Sequence, residues 1–275
     1  LVVSDPAFLE TLGAVGRAGV PSGLLSRWVF ILAAVGVPAL IPVLYFWGLP
    51  AIGATAARVV PVSWEERLGK MASESLAPPA RRCGDDKQLE ALHRVVEALG
   101  RAASPSPYRF RISIVDDPTV NALAAPGGYL VIFRGLLEKT STPEELAGVL
   151  AHEMQHVVLR HTTKAIFRDL TLRALMAVLF GDSSSWLTLA ADIGALRFQR
   201  GDEEQADREG MLLVQRARID PRGMVRFFRQ LEESSGQGPQ ALVYLSTHPR
   251  TEDPLHPLES PAAAAPKAVS KASCR

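Results

Sequence analysis

Three polar residues within GVLAHEMQHVVLRH, residues 148–161, have the types and the spacing of a metal site. His152 and His156 are four positions apart, so on a helix their imidazoles project from one face and can converge on one ion. Glu153 lies beside them, where its carboxylate can take a proton from an attacking water and later deliver it to a leaving group. The pattern predicts metal-assisted hydrolysis, but a motif this short also occurs by chance, so the rest of the chain has to support it.

The sequence around the motif predicts a helix that begins at Pro143 and continues to about Lys164. Thr142 can cap this helix, Pro143 suits its first position, and Glu145 completes a capping box with Thr142. The alternative is a surface helix with a solvated His-Glu-His edge. Apolar residues surround the three polar groups, however, which indicates a helix in the core. Because unpartnered polar groups are costly in a core, burial favours a metal ion as their partner.

A catalytic zinc site of this type needs a third protein ligand and an open position for water. The stretch FQRGDEEQADREGMLLV, residues 198–214, supplies Glu203 as a candidate ligand. Asp207 lies on the same helical face, where it can hold the second ring nitrogen of a ligand histidine. Glu204 is the rival ligand, although it faces Arg208 four positions later. Taken alone the stretch also fits a solvated acidic helix, and the upstream motif favours the metal site.

The elements that must position these residues are mainly helical, with a small sheet. Residues 108–117 are rich in β-branched and aromatic residues, residues 120–125 follow a turn, and residues 127–133 follow Pro126. These three runs predict short strands. We expect them to form an antiparallel sheet beside the motif helix. Residues 86–100 predict an amphipathic helix before the sheet. Residues 174–196 contain two apolar halves, each too short to cross a bilayer, and predict a helical hairpin. The fold class is therefore α+β.

One stretch of the chain has the length and composition of a membrane span. No charged residue occurs from Trp28 to Ala57. The run WVFILAAVGVPALIPVLYFW would extend about 30 Å as a helix, and aromatic residues at both of its ends fit the two membrane interfaces. We expect a transmembrane helix over residues 28–48, in contact with a lipid bilayer, and a truncated N-terminal segment over residues 1–27. A buried core helix is the alternative, but two prolines would kink it.

Composition excludes several classes of protein. The chain has 30 Lys and Arg against 29 Asp and Glu, a net charge of +1. Its basic residues are not clustered with aromatic ones, which excludes a nucleic-acid-binding protein. Two cysteines exclude a disulfide-rich scaffold and a cysteine-ligated zinc site. Residues 259–275, ESPAAAAPKAVSKASCR, have no periodicity and predict a disordered tail.

Four stretches together resemble one protein family. NALAAPGGYLVIFRGLL, TPEELAGVLAHEMQHVVLRH, RGDEEQAD and STHPRT have the order and spacing found in the HtpX and CAAX prenyl protease (Ste-type) family of membrane-associated gluzincins. The resemblance covers residues 62–255, and within the family the chain is similar to the branch whose members have a single membrane span. It implies a zincin-like metalloprotease domain over residues 62–258. Gln199 and Pro254 differ from the family pattern outside the inferred ligand set, so substrate binding can differ.

The resemblance implies a role for each residue of the motifs. It implies His152, His156 and Glu203 as zinc ligands. Glu153 is then the general base, and Asp207 supports a ligand histidine from behind.

The resemblance also implies two elements beside the cleft. PGGYLVIF would be an edge strand whose backbone at Gly127, Gly128 and Tyr129 pairs with an extended substrate, with a plain interior strand as the alternative. The loop containing His248 would lie near the zinc. There this histidine can stabilise the oxyanion, occupy the open zinc position as a latch, or only fix its loop by a hydrogen bond. His161, five residues past His156, is expected to point off the metal face, either as a group that supports the ligands from behind or as a surface group.

These inferences predict a membrane-anchored, zinc-dependent endopeptidase that acts on protein or peptide substrates in membrane or envelope protein quality control. The resemblance places its catalytic domain outside the cytoplasm or in an equivalent compartment. Two alternatives remain open. A catalytically weak relative acting as a chaperone or adaptor would keep the fold, and a structural helical membrane protein would bind no metal. The sequence predicts no oligomeric state.

Overall fold

A computed structural model of the chain describes residues 24–84, 86–180, 198–235, 243–244 and 246–248. The chain divides into two compact units, residues 1–50 and 51–275. Most of the predicted helical hairpin and all of the predicted disordered tail lie outside the described residues.

The first unit is helical where the structure describes it. Helix α1, Leu24–Val43, is followed by a short π-helix, Leu44–Gly48, and by helix α2, Leu49–Val59, which continues into the second unit. Within the described part of the chain, no helix combines the length and the apolar character needed to cross a membrane. The structure therefore does not support the transmembrane helix predicted over residues 28–48, a stretch that it divides between α1 and the π-helix.

The second unit combines one small sheet with the helices around it, which confirms the mainly helical α+β fold class. The amphipathic helix predicted over residues 86–100 is α4, whose apolar side is buried in the core. The helices of this unit are α3 (Val62–Leu76), α4 (Asp86–Ala102), α5 (Arg134–Lys139), α6 (Pro143–Val158), α7 (His161–Phe180), α8 (Arg200–Arg216) and α9 (Arg222–Ser235). The strands are β1 (Arg111–Val115), β2 (Ala122–Ala125) and β3 (Tyr129–Phe133).

Helix α6, which contains the H-E-x-x-H motif, lies in the core. It begins at the predicted cap: Thr142 Oγ1 accepts a hydrogen bond from the Glu145 backbone N–H at 3.3 Å. The Glu145 carboxylate accepts from the Ser141 N–H at 2.7 Å, one residue before the position that a capping box predicts. Because α6 packs against α8, α9 and β2, it is buried from Glu145 to Val157. Polar side chains on such a helix need partners inside the protein.

The three predicted strands are present, but the prediction of an antiparallel sheet is wrong for one pair. The strand β3 is central, antiparallel to β2 and parallel to β1. Leu130, Val131 and Ile132 in β3 are each at most 1 % exposed. Such a continuous apolar run is typical of a strand that is covered on both faces and paired on both sides.

The prediction of a substrate-binding edge strand at Gly127, Gly128 and Tyr129 is also wrong, because β3 is the central strand of the sheet. The strand β3, which begins at Tyr129, has a neighbouring strand on each side, so its backbone is not free to pair with a substrate. Gly127 and Gly128 have φ values of 71° and 95° and form the turn between β2 and β3. A Cβ at Gly127 would lie 2.5 Å from the Glu66 backbone, so this glycine permits the close approach of α3. The interior position that was the alternative is the one observed.

The motif helix ends earlier than predicted. Helix α6 stops at Val158, and Arg160 follows in the left-handed conformation with φ 58°. The chain then starts a separate helix, α7, at His161. The first turn of α7 packs on the sheet, where Thr162 Oγ1 donates to the Ala124 carbonyl of β2 at 2.9 Å. The turn at Arg160 therefore redirects the chain immediately after the motif.

A buried network joins this turn to helix α3. The Glu65 side chain is 1 % exposed, and its carboxylate accepts hydrogen bonds from Tyr108 Oη at 2.7 Å and from Thr163 Oγ1. Arg160 Nη2 lies 3.5 Å from the same carboxylate, and Arg160 Nε donates to Tyr108 Oη at 2.9 Å. Burial and the Glu65 carboxylate raise the pKa of Tyr108, which keeps its hydroxyl protonated. Arg160 thus balances a carboxylate charge inside the core.

Replacing Arg160 by glycine should lower the free energy of unfolding by about 2 kcal/mol. Leaving the buried Glu65 carboxylate without its cation costs roughly 3 kcal/mol, and relief of the left-handed backbone offsets about 1 kcal/mol of that loss. Arg218 is the matched control, because it is exposed and has φ 59°. Arg218→Gly should be neutral or slightly stabilising. Chemical denaturation of the metal-free protein measures both changes, and equal effects would contradict the role of the Arg160 side chain.

Candidate metal centre

Four buried side chains bring one potential ligand atom each to a single point. His152, His156, Glu203 and His248 are each at most 3 % exposed, and their ligand atoms all lie within 4.8 Å of one another. Helix α6 supplies the first two histidines and α8 supplies Glu203. A short helical segment supplies His248, whose backbone N–H donates to the Tyr244 carbonyl at 2.9 Å. The structure thus brings together the three predicted zinc ligands and the predicted cleft histidine.

The distances between these atoms fit a tetrahedral zinc ion. Bonds of about 2.0–2.1 Å place neighbouring ligand atoms of such an ion roughly 3.3 Å apart. The Nε2 atoms of His152 and His156 are 3.0 Å apart, and each lies 3.4 Å from an oxygen of Glu203. Nδ1 of His248 is 3.2 Å from His152 Nε2 and 3.2 Å from Glu203 Oε2. Three imidazole nitrogens and one carboxylate are donors that zinc accepts.

Polar atoms without partners cluster at the same point. Within the described part of the chain, Glu203 Oε1, His248 Nε2 and Glu153 Oε2 are buried and have no hydrogen-bond partner. Each unsatisfied buried polar atom costs about 1–3 kcal/mol, and more when it is charged. A cation between the ligand atoms would compensate the Glu203 oxygen, so the residues present fit a bound metal ion.

Asp207 lies directly behind His152. Its Oδ1 is 2.9 Å from Nδ1 of His152, which leaves Nε2 of that ring facing the ligand atoms. Gly210, also on α8, permits this approach, since a Cβ there would lie 3.2 Å from the His152 backbone. Helix α8 therefore places Glu203 and Asp207 on the two sides of one imidazole.

Glu153 lies beside the ligand atoms and contacts two side chains of the His248 segment. Its Oε1 accepts a hydrogen bond from Tyr244 Oη at 3.2 Å and is 3.5 Å from His248 Nε2. The rings of Tyr244 and His248 stack with their centroids 4.6 Å apart. Since Glu153 is only 1 % exposed, this segment covers the residue that the sequence predicts as the general base.

The charges around each group set its protonation. Burial opposes ionisation of Glu203, but His248 and His152 outweigh burial and lower the pKa of the Glu203 carboxyl to about 2. Burial raises the pKa of Glu153, and the two histidines offset this only in part. Burial disfavours the charged form of His152, yet its hydrogen bonds to Asp207 and Glu203 raise the pKa of this imidazole well above its usual value. Metal binding therefore has to displace a proton from His152.

Sequence reasoning missed two residues around the ligands, Tyr244 and Phe198, and left open whether His161 lies behind the ligands or on the surface. Tyr244 lies four positions before His248, a helical spacing that could have indicated their contact. His161 takes the first of its two expected positions: it is buried behind the ligands, and its Nδ1 lies 3.2 Å from His156 Nδ1. Phe198 stacks on His156 with ring centroids 4.0 Å apart, and no local pattern indicates this contact.

Comparison with known families agrees with this geometry. The model of Peptidase family M48 matches residues 86–262, a range that includes all four ligand residues. The chain belongs to this family. M48 metalloproteases use zinc, and the buried ligand cluster of this M48 chain can bind a metal ion.

The relatives of the M48 chain include named proteases. It is 30 % identical over 188 residues to the mitochondrial metalloendopeptidase OMA1 of Schizosaccharomyces pombe, which covers 63 % of this chain and 55 % of the relative. It is 29 % identical over 224 residues to the beta-barrel assembly-enhancing protease of Yersinia pestis, covering 75 % and 46 %. For the OMA1 of Arabidopsis thaliana the identity is 36 % over 143 residues, covering 51 % and 29 %. The chain thus spans about half the length of these relatives or less. The finer assignment to the single-span HtpX and CAAX prenyl protease branch stays a prediction.

The purified M48 protein should hold about one zinc ion per chain. His152→Ala and Glu203→Ala should each weaken zinc binding by at least about 100-fold, because each removes a ligand. Glu204→Ala is the matched control, since Glu204 is exposed on the same helix and should leave zinc binding unchanged. Elemental analysis after dialysis against a weak chelator measures the retained zinc. Full occupancy in Glu203→Ala would require a different carboxylate ligand.

Proposed function

We propose that this chain is the catalytic domain of a zinc-dependent endopeptidase. The observation that carries the proposal is the buried convergence of His152, His156 and Glu203 beside Glu153. When bound there, zinc supplies Lewis acidity that activates water and polarises the scissile carbonyl. Membership of family M48 and the names of the relatives support hydrolysis of peptide bonds.

Each side chain of the site then has a defined task. His152, His156 and Glu203 hold the ion, and Asp207 accepts the Nδ1–H of His152 so that Nε2 is free to ligate. Glu153 accepts the proton of the attacking water and delivers it to the leaving amine. Its Oε2, which has no hydrogen-bond partner in the described structure, is the atom available for this transfer. The upward shift of the Glu153 pKa suits a group that must both gain and lose a proton.

The proposal extends to the class of substrate. A beta-barrel assembly-enhancing protease and mitochondrial metalloendopeptidases are among the relatives, which favours protein substrates in membrane or envelope quality control. Trapping of bound proteins by an inactive Glu153→Gln variant in cells would identify them. The extracytoplasmic position of the domain stays a prediction of the sequence.

His248 acts in this proposal as a latch. Its Nδ1 lies among the ligand atoms, 3.2 Å from both His152 Nε2 and Glu203 Oε2, where a fourth zinc ligand would be. A histidine in that position occupies the place that an attacking water or a substrate carbonyl needs. Its segment also engages Glu153 through Tyr244. These contacts favour the latch over the oxyanion donor, and turnover requires the segment to move away.

Glu153→Gln should keep the fold and the zinc but slow proteolysis by about 10²–10⁴-fold, because an amide cannot accept the proton of the attacking water. Cleavage of casein with and without chelator measures the loss, and elemental analysis confirms the zinc. Glu144→Gln, on the same helix, should cleave at the wild-type rate. Near-normal cleavage by Glu153→Gln would exclude the general-base role and indicate a contaminating protease.

His248→Ala should increase basal cleavage by up to about tenfold, the gain expected when a minor open state becomes the major one. Ser246→Ala is the control, since Ser246 is exposed in the same segment. The initial rate of peptide cleavage by zinc-loaded protein is the measurement. Slower turnover with zinc retained would assign His248 to the oxyanion instead, and an unchanged rate would leave only a structural role. Binding of unfolded protein without cleavage by this variant would favour the chaperone or adaptor alternative.

A further inference from the structure

His161 is a completely buried histidine that touches a proposed zinc ligand without joining the ligand set. Its Nδ1 lies 3.2 Å from Nδ1 of His156, on the side of that ring remote from the ligand atoms. Its Nε2 lies 3.2 Å from Gln205 Oε1 and 3.6 Å from Asp202 Oδ1. Both of these partners are on α8, the helix that also supplies Glu203.

The protons of this pair follow from the ligand geometry. Nε2 of His156 faces His152 and Glu203, so a metal ion would take the lone pair of Nε2. A neutral imidazole that ligates through Nε2 carries its proton on Nδ1. That N–H has to donate to His161 Nδ1, which must then be the unprotonated nitrogen of its own ring. His161 consequently carries its proton on Nε2 and donates it to Gln205 Oε1.

We propose that His161 is a positioning residue that fixes the tautomer and the orientation of the ligand His156. This role rests on the proposed zinc site. His161 does for His156 what Asp207 does for His152, but with a neutral acceptor in place of a carboxylate. The hydrogen-bonded chain from His156 through His161 to Gln205 also connects the two helices that supply ligands.

A histidine that only fills space in the core would not need this arrangement. Both ring nitrogens of His161 are directed at polar groups, and the two groups lie on different sides of the ring. The residues that follow it, Thr162 and Thr163, have partners elsewhere, so they do not compete for His156. The direction of each hydrogen bond is therefore determined, which makes the role testable atom by atom.

The test compares zinc affinities by competition with a chromogenic chelator. His161→Leu should raise the zinc dissociation constant about 10–100-fold, the usual effect of removing a group that supports a ligand. His161→Asn should restore it to within a few fold of wild type, because the asparagine Oδ1 is the same number of bonds from the backbone as Nδ1 and can accept the same hydrogen bond. Gln205→Leu should weaken binding by a smaller factor. His93→Asn, at an exposed histidine of α4, is the control and should have no effect.

Nitrogen-15 spectra of the histidines in zinc-loaded wild-type protein give a second measurement, which does not depend on whether any variant folds. They should show His156 protonated at Nδ1 and His161 protonated at Nε2 only. Unchanged zinc affinity in His161→Leu, an asparagine variant as weak as the leucine variant, or a proton on His161 Nδ1 would each overturn the proposal. Wild-type protein that binds no zinc would instead refute the zinc site itself.

Discussion

The Nε2 atoms of His152 and His156 lie 3.0 Å apart in the core, and the surrounding structure has to accommodate that pair of imidazoles. Two ring nitrogens that both present lone pairs to one point repel each other unless a metal ion or a proton lies between them. Because α6 is buried, water cannot separate the two rings. The Glu203 carboxylate from α8 would balance part of the positive charge of a cation bound there. The close approach of α8 at Gly210 is the packing feature that makes this possible.

The same constraint explains why polar side chains accumulate behind the ligands. A buried imidazole that ligates through Nε2 carries a proton on Nδ1, so His152 and His156 are each stabilised by a hydrogen-bond acceptor deep in the protein. Asp207 meets this need for His152, and His161 lies in the equivalent position for His156. Removing either acceptor would leave the ligand ring free to rotate, even though neither one contacts the metal position.

Local patterns in the sequence were sufficient for part of this site. The four-residue spacings of His152 with His156 and of Glu203 with Asp207 each place two side chains on one helical face, and the cap at Thr142 marks the helix start. The resemblance to the protease family then joined the two segments.

The features that sequence reasoning did not reach depend on contacts between distant residues or on unusual backbone. The pairing of strands makes β3 central. Its parallel partner β1 is adjacent to it in the sheet but is separated from it in the sequence by β2, and no periodicity indicates this pairing. The early end of α6 depends on an arginine in a left-handed conformation that arginine seldom adopts, so the sequence predicted a longer helix. The apolar run over residues 28–48 has the composition of a membrane span, and the structure divides it between α1 and a π-helix.

The turn at Arg160, which is in the left-handed conformation, fixes the number of residues between the motif and α7. The next three residues bond to three different parts of the protein: His161 to His156 of α6, Thr162 to Ala124 of β2, and Thr163 to Glu65 of α3. Inserting or deleting one residue at this corner would rotate α7 by about 100° and separate all three pairs together. Substitutions on the surface of this corner leave these contacts intact, but one change in its length would separate α7 from the proposed metal ligand, the edge strand and the buried carboxylate at the same time.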